Sequence, residues 1–294
     1  MPEGIIIEGR GGLYTAYSPD GARSVLRARK KFRHMHITPS VGDRILYTPG
    51  SISDEHGWID EILPRRNEFL RPPVVNVTVM LIVAAEKPLP DWLLVDKLLI
   101  FAFRQNIRPV LVINKQDTGN EVYEKAVRVY RDTGIRVCAV SAEDGSGTEA
   151  LREMLPGQTV CLCGQSGVGK SSLINALCGT QLETGEISSK IERGKNTTRH
   201  CELIPCGGFH IIDTPGFSLL DESEKPEDPV LLQEFYPEFD AFRSGCRFQP
   251  CYHWNEPGCA VLKAVSDGRI APERVEQYHE LFRIAKERWN NRYD

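Results

Sequence analysis

A glycine-rich run ending in lysine and two serines, GQSGVGKSS at residues 164–172, is the part of the sequence with the clearest chemistry. An apolar run at 159–163 precedes it and an amphipathic run at 172–177 follows it, which predicts a strand, a loop and a helix. Backbone N–H groups in such a loop, together with the positive end of the helix, bind polyphosphate. We therefore predict a nucleotide phosphate site, in preference to a chance match in a loop.

The residue types in this run each have a role at such a site. Lys170 would reach the β- and γ-phosphates, and the hydroxyl of Ser171 would bind Mg²⁺. The run alone does not distinguish ATP from GTP. The residues expected to surround the phosphates are Gly164, Gln165, Ser166, Gly167, Val168, Gly169, Lys170, Ser171 and Ser172.

Polar residues at the ends of two other apolar runs indicate which base is selected. They are Asn114, Lys115, Gln116 and Asp117 after one run, and Ser141 and Ala142 after the next. In an NKxD motif the Asp carboxylate accepts two hydrogen bonds from guanine, and adenine lacks both donors. Asn114 would brace the loops, Lys115 would cover the base, and the N–H of Ala142 would meet the guanine carbonyl oxygen. We therefore predict guanine selectivity.

Two downstream motifs would complete a GTPase centre. Thr197 and Thr198 lie in a polar segment typical of a switch loop, and one of them would bind Mg²⁺. In the DTPG motif, Asp213 would hold Mg²⁺ and the N–H of Gly216 would contact the γ-phosphate. Phe217 stands where Ras-like enzymes carry a water-orienting glutamine, so we expect slow intrinsic hydrolysis. The predicted catalytic residues are Lys170, Ser171, Thr197, Thr198, Asp213 and Gly216, and the predicted Mg²⁺ ligands are Ser171, Thr197, Thr198 and Asp213.

The order of these motifs is unusual. Ras-like GTPases place the phosphate loop first and NKxD last, whereas here residues 114–117 precede residues 164–172. We therefore predict a circularly permuted domain, which is compatible with an unchanged arrangement in space because domain termini often lie close together. One consequence is that the switch segment continues directly into the carboxyl-terminal part of the chain.

Three cysteines and a histidine cluster near the carboxyl end with the spacing Cys246-x4-Cys251-x-His253-x5-Cys259. This set predicts one tetrahedral zinc ion with a structural role, because no coordination position is left open. The surrounding segment, 243–258, is poor in apolar residues and would need the metal to fold. Disulfides are the alternative, but reduced thiols are expected without a secretory signal. The same reasoning predicts buried thiols at Cys138, Cys161, Cys163, Cys178, Cys201 and Cys206.

The amino-terminal part reads as five short strands separated by turns, which predicts a small barrel of the oligonucleotide-binding kind. Between residues 22 and 36 there are six lysines or arginines, two histidines and no acid. This composition favours contact with a nucleic-acid backbone, with a solvated barrel face as the alternative. The residues predicted to bind RNA are Arg27, Arg29, Lys30, Lys31 and Arg33.

At 294 residues the chain is expected to form several domains. A proline-rich linker at 64–73 is followed by apolar runs that alternate with amphipathic helix patterns, which predicts a parallel sheet covered on both faces. We predict a multidomain α/β protein with an OB-fold barrel at 1–72, a circularly permuted P-loop GTPase domain of Ras-like α/β type at 73–218, and a mostly helical zinc-binding domain at 219–294. No apolar run is long enough to span a membrane.

With these motifs in their order, the chain resembles the bacterial ribosome small-subunit-dependent GTPase A family over nearly its whole length. The resemblance implies a late-acting assembly factor that binds the 30S subunit and its 16S rRNA, and we expect a monomer in the cytoplasm. It also implies hydrolysis of GTP to GDP with stimulation by the subunit. Asn196 departs from the family pattern, in which a histidine precedes the threonine pair. The alternatives are a GTP-gated RNA- or ribosome-binding switch, in which hydrolysis only times release, and a P-loop ATPase or kinase.

Overall fold

The computed structural model describes residues 1–50, 55–70, 73–179, 201–213 and 227–292. Contacts group the chain into two units, each built from separate stretches of sequence. One unit contains residues 1–80, 149–162 and 174–217, and the other contains residues 81–148, 163–173 and 218–294. Within the described ranges, no helix is long and apolar enough to cross a membrane.

The five predicted amino-terminal strands form a closed barrel with the strand order β1-β2-β3-β5-β4. Alternate residues of these strands face inward, so that Ile6, Ala16, Leu26, Ile45 and Ile59 are buried in one core. The barrel prediction is therefore confirmed. The strands are β1 (Glu3–Arg10), β2 (Leu13–Tyr17), β3 (Arg23–Ala28), β4 (Arg44–Thr48) and β5 (Gly57–Ile62).

The basic segment predicted to bind RNA continues beyond β3. Residues Lys30–His34 form a short helix, α1. Phe32 on this helix is 4% exposed and belongs to the barrel core, whereas Lys30, Lys31 and Arg33 are exposed. A single helical turn thus buries the aromatic ring and leaves the cations in solvent.

The proline-rich segment expected as a linker forms a small antiparallel ladder. Strands β6 (Glu68–Leu70) and β7 (Pro73–Val75) pair with each other. Pro73 is the first residue of its strand, a position where the missing N–H does not interrupt a ladder.

A six-stranded sheet with the order β10-β9-β8-β11-β13-β12 carries the predicted nucleotide motifs. Every residue of β8 and β11 is buried, as the continuous apolar runs predicted. β9 and β10 are parallel, as are β11 and β13, while the edge strand β12 is antiparallel to β13. The strands are β8 (Val79–Ala85), β9 (Arg108–Asn114), β10 (Arg136–Ala139), β11 (Thr159–Cys163), β12 (Glu202–Pro205) and β13 (His210–Asp213).

Helices connect these strands, and the helix at Thr148–Arg152 is one that the periodicity did not predict. The carboxylate of Asp91 accepts from the N–H of Leu94 at 3.0 Å, which caps the first of them. The α-helices are α2 (Trp92–Arg104), α3 (Glu121–Tyr130), α4 (Thr148–Arg152) and α5 (Lys170–Cys178), and 3-10 turns span Gln116–Thr118 and Arg131–Thr133.

The carboxyl-terminal region is helical, as predicted. Its core contains Val275, Tyr278, Leu281 and Phe282 from one face of the last helix, so this stripe packs inside the protein. The region consists of 3-10 helices Pro229–Phe235 and Pro237–Phe239, followed by α6 (Asp240–Arg243), α7 (Ala260–Ser266) and α8 (Pro272–Asn290).

The expectation of reduced thiols is wrong at two positions. Cys178 at the end of α5 and Cys206 after β12 form a disulfide, with their Cα atoms 4.7 Å apart. The two cysteines are 28 residues apart in sequence, and only the folded arrangement places them at a separation that a disulfide can span. Cys138, Cys161, Cys163 and Cys201 are not part of a disulfide.

Candidate nucleotide and metal sites

The phosphate loop lies between β11 and α5, and its glycines are required by close backbone contacts. Gly164 has a φ of +131°, and a Cβ there would lie 2.1 Å from the carbonyl oxygen of Val83. At Gly169, with a φ of +88°, a Cβ would lie 2.4 Å from Nδ2 of Asn114. Both positions therefore exclude any side chain, and the loop can approach its neighbours closely.

The ammonium group of Lys170 is held across this loop. Nζ donates to the carbonyl oxygens of Gly164 and Gln165, at 2.8 and 2.6 Å. Burial lowers the pKa of Lys170. A partly buried cation that is hydrogen-bonded to carbonyl oxygens is suited to an anionic ligand, because a phosphate would offset its charge more fully.

Asn114 joins the predicted base loop to the phosphate loop. It ends β9, is 1% exposed, and donates from Nδ2 to the carbonyl oxygen of Val168 at 2.9 Å. Its Oδ1 accepts from the N–H of Ala142 at 3.0 Å. The N–H of Ala142, which we expected to face guanine, is thus bonded to Asn114, whose bracing role brings three loops together.

Two other residues of the NKQD motif have defined partners. Nζ of Lys115 donates to the carbonyl oxygens of Gly167 and Lys87, both at 2.7 Å. The hydroxyl of Ser141 donates to Oδ1 of Asp117 at 2.7 Å, which orients the exposed carboxylate. These contacts bring the base loop and the phosphate loop to the same end of the sheet.

Gln165 has a contact that sequence reasoning did not anticipate. Its Oε1 accepts from the backbone N–H of Asp91 at 2.9 Å, so the phosphate loop is bonded to the residue that caps α2.

Asp213 ends β13, the strand parallel to β11. The remaining predicted residues, Thr197, Thr198 and Gly216, lie outside the described ranges, as do Asn196 and Phe217.

The four predicted zinc ligands converge. Their potential ligand atoms all lie within 4.8 Å of one another, and Cys246, Cys251, His253 and Cys259 are all buried. Nδ1 of His253 is 3.3 Å from Sγ of Cys259 and 3.7 Å from Sγ of Cys246. Backbone N–H groups of α7 donate to two of the sulfurs, from Ala260 to Cys246 at 3.3 Å and from Leu262 to Cys259 at 3.5 Å.

The chemistry of this cluster fits zinc. The three cysteines of the cluster are free thiols. Burial raises the pKa of the Cys251 thiol to about 12, so a thiolate there requires a nearby cation. Burial also lowers the pKa of His253, which keeps the imidazole neutral and able to coordinate. Three soft sulfur donors and one imidazole match a tetrahedral zinc site.

The predicted RNA-binding residues lie on the barrel surface, where Arg27, Arg29, Lys30, Lys31 and Arg33 are all exposed. Arg29 is paired with Asp60, with an N–O distance of 2.6 Å, so its charge is partly neutralised. Its guanidinium also lies 5.7 Å from the ring centroid of Trp58. Trp58 pairs with Arg27 across β3 and β5 and is 41% exposed. The sequence analysis did not single out Trp58, although its position beside Asp60 and Glu61 in β5 indicates an exposed aromatic ring.

A family model and two relatives of known name match most of the chain, and all three point to the same family. A family model described as RsgA GTPase matches residues 62–222. A Geobacillus thermodenitrificans protein named small ribosomal subunit biogenesis GTPase RsgA is 42% identical, and the alignment covers 98% of this chain and 99% of that protein. A Ruminiclostridium cellulolyticum protein of the same name is 38% identical over 98% of this chain and 95% of that protein.

Two solved structures are similar to the whole chain. YjeQ from Thermotoga maritima has a TM-score of 0.80 and is 32% identical, with coverage of 97% of this chain and 98% of that chain. YloQ, described as a circularly permuted GTPase, has a TM-score of 0.81 and is 32% identical, with coverage of 98% and 96%. The predicted permutation agrees with this similarity.

Proposed function

The chain belongs to the RsgA GTPase family and is a GTP hydrolase, and we propose that it acts in the biogenesis of the small ribosomal subunit. The proposal extends to this chain the role named for relatives that match it along nearly their full length. The bonds of Asn114 carry the nucleotide part of the proposal, since they hold a guanine-type loop against a polyphosphate loop. We propose further that the partners are the 30S subunit and its 16S rRNA, and that the protein acts as a monomer in the cytoplasm.

In the proposed complex, the carboxylate of Asp117 accepts hydrogen bonds from guanine, while the hydroxyl of Ser141 donates to its Oδ1 and keeps the carboxylate oriented. Lys170 exchanges its two carbonyl acceptors for the β- and γ-phosphates. Ser171, half-buried in the first turn of α5, is proposed as one Mg²⁺ ligand. Asp213 and one of the switch threonines are proposed as further ligands, on the evidence of their motifs in the sequence. That ion would offset the charge that develops on the transferred phosphoryl group.

Hydrolysis is proposed to depend on the ribosomal subunit. Phe217 follows the DTPG motif, and its side chain can neither donate nor accept a hydrogen bond to orient water. The test is the rate of phosphate release from GTP with and without 30S subunits. A higher rate with subunits is expected, and equal rates would overturn this part of the proposal.

A release experiment separates this enzyme from a switch in which hydrolysis only times departure. Preformed complexes with 30S subunits would be supplied with GTP or with a non-hydrolysable analogue. We expect release with GTP and retention with the analogue. Equal release with both ligands would show that hydrolysis is incidental to the binding cycle.

The barrel is proposed to contact rRNA through the exposed cations on and beside α1. Because Arg29 is paired with Asp60, the variant should combine Lys30→Ala, Lys31→Ala and Arg33→Ala. Losing three phosphate contacts should reduce the slope of log affinity against log salt by about 2 to 3. A control that keeps the charges, with Lys30→Arg, Lys31→Arg and Arg33→Lys, should retain the slope. An unchanged slope in the alanine variant would favour a solvated face.

The cysteine and histidine cluster is proposed to hold one structural zinc ion. The four side chains would supply all the ligands of a tetrahedral ion, so that no position would be open for substrate. Metal analysis of the purified protein should find one zinc per chain. Replacing Cys251 with serine should lower this content, and an unchanged content would contradict the ligand set.

A further inference from the structure

Gln233 contacts the imidazole of His253 from outside the zinc cluster. Its Oε1 lies 2.9 Å from Nε2 of His253. Its amide nitrogen donates to the carbonyl oxygen of Val230 at 3.0 Å, and this second bond fixes which way the amide faces. Since an amide oxygen can only accept, Nε2 of His253 carries the hydrogen.

This hydrogen bond determines which ring nitrogen can bind metal. With hydrogen on Nε2, the lone pair of the neutral ring is on Nδ1. Nδ1 is the nitrogen that faces the sulfurs of Cys246 and Cys259. His253 also has a φ of +55°, an uncommon backbone conformation for a residue other than glycine.

Gln233 lies in a segment, residues 229–236, that packs against α2, and Glu227, two residues before the segment, contacts α2 as well. Leu232 shares a core cluster with Ile100 of α2. Glu227 forms an ion pair with Arg104 of α2, with an N–O distance of 3.0 Å. One side chain thus joins the ligand imidazole to a segment that contacts a helix of the GTPase sheet.

We propose that Gln233 is a positioning residue of the zinc site, which presents Nδ1 of His253 to the metal and makes the docking of residues 229–236 on α2 depend on zinc. The inference rests on the zinc assignment made under the proposed function. Coupling of this kind is reciprocal: if the metal stabilises the docked segment, the docked segment strengthens metal binding by the same factor.

Two substitutions separate this role from simple packing. Gln233→Leu keeps a side chain of similar length and removes the acceptor, whereas Gln233→Glu retains an acceptor for the Nε2 hydrogen. Gln249→Leu is the control, because Gln249 is an exposed glutamine in the same cysteine-rich segment. The zinc dissociation constant would be measured by competition with a colorimetric chelator.

We expect Gln233→Leu to weaken zinc binding by about 10- to 100-fold. Gln233→Glu should bind zinc at least as tightly as the wild type, and the Gln249→Leu control should not change. Nitrogen-15 chemical shifts of His253 in the zinc-loaded protein should identify hydrogen on Nε2 in the wild type. Amide hydrogen exchange in residues 229–236 should accelerate on zinc removal and in Gln233→Leu, whereas exchange in α3 should not.

Equal zinc affinities for wild type and Gln233→Leu would overturn this inference alone, as would equal losses in the leucine and glutamate variants. If amide hydrogen exchange in residues 229–236 did not respond to zinc, the proposed dependence of their docking on zinc would be overturned. A wild-type protein that takes up no zinc would overturn the zinc assignment itself, and this inference with it.

Discussion

Arg274 is the side chain whose replacement should most clearly test how the carboxyl-terminal region is held. It is 2% exposed and forms ion pairs with Asp96 of α2 and, at 2.6 Å, with Glu238. Its guanidinium also lies 4.9 Å from the ring centroid of Tyr130 and 4.5 Å from that of Tyr236. The cluster contains two buried carboxylates and one guanidinium, and Oε2 of Glu238 has no hydrogen-bond partner among the described residues.

Arg274→Met would keep much of the side-chain volume and leave both carboxylates buried without a counter-charge. Two hydrogen bonds to charged groups contribute about 1.5 to 3 kcal/mol each, and breaking a buried ion pair from one side costs about 3 to 5 kcal/mol in total. We therefore expect the free energy of opening of α8 to fall by about 4 kcal/mol.

Native-state hydrogen exchange at the amides of α8 measures this free energy without requiring the whole chain to unfold in one step. Arg283→Met is the matched control on the same helix, because Arg283 is 51% exposed and its ion pairs with Glu280 and Glu287 are solvated. The control should differ from the wild type only slightly. If Arg274→Met lost no more stability than Arg283→Met, the argument from buried charge would be refuted.

The loss should also depend on pH. Burial raises the pKa of Asp96, and the nearby Arg274 opposes that rise. Without the guanidinium the pKa of Asp96 in the folded variant would lie further above its ordinary value of 3.8, so the folded state of the variant would bind more protons than the unfolded state. The loss of stability of Arg274→Met relative to the wild type should therefore be smallest below pH 3.8 and should grow as the pH rises above it. Asp96→Asn added to Arg274→Met should recover about 1 to 3 kcal/mol at neutral pH.

Four further substitutions test the nucleotide site and the disulfide. Asp117→Asn should shift binding from GTP towards xanthosine triphosphate, measured by fluorescence titration, and an unchanged preference would contradict the assignment of the base loop. Gly164→Ala should abolish GTP binding, because its Cβ would approach a β8 carbonyl oxygen to 2.1 Å, while Gly157→Ala, which has a positive φ but open space around it, should retain binding. Cys178→Ser and Cys206→Ser should each lower the free energy of unfolding, measured by denaturant titration, by about 3 to 4 kcal/mol, given the 28-residue separation. Reductant should lower the stability of the wild type by the same amount and leave both serine variants unchanged. A free energy of unfolding that changes neither on substitution nor on reduction would contradict the disulfide.

Local sequence signals were sufficient for much of the architecture. The apolar runs that became β8 and β11 are buried throughout, and their composition predicted this because a strand covered on both faces has no polar side. The glycines of residues 164–169 predicted a loop whose backbone must approach other groups closely, and Gly164 does so. The cysteine and histidine spacing predicted a four-ligand cluster because its ligands lie close together in sequence.

The partners of polar side chains could not be predicted in this way. Arg29, predicted to bind RNA, pairs with Asp60 because β3 and β5 lie side by side in the barrel. Nothing in the local sequence distinguishes Gln233 from other polar residues, and only the fold brings its amide oxygen to Nε2 of His253.

The sequence by itself determined where glycine-dependent backbone, buried strands and the cysteine and histidine cluster would occur, since these depend on residue type and short spacing. Only the tertiary structure decided which distant groups meet, because a contact such as that of Arg274 with Asp96, 178 residues away, follows from how helices pack and not from either residue's neighbours in the chain. The same holds for Asn114 and Val168, which are separated by 54 residues and joined by one hydrogen bond at the end of the sheet.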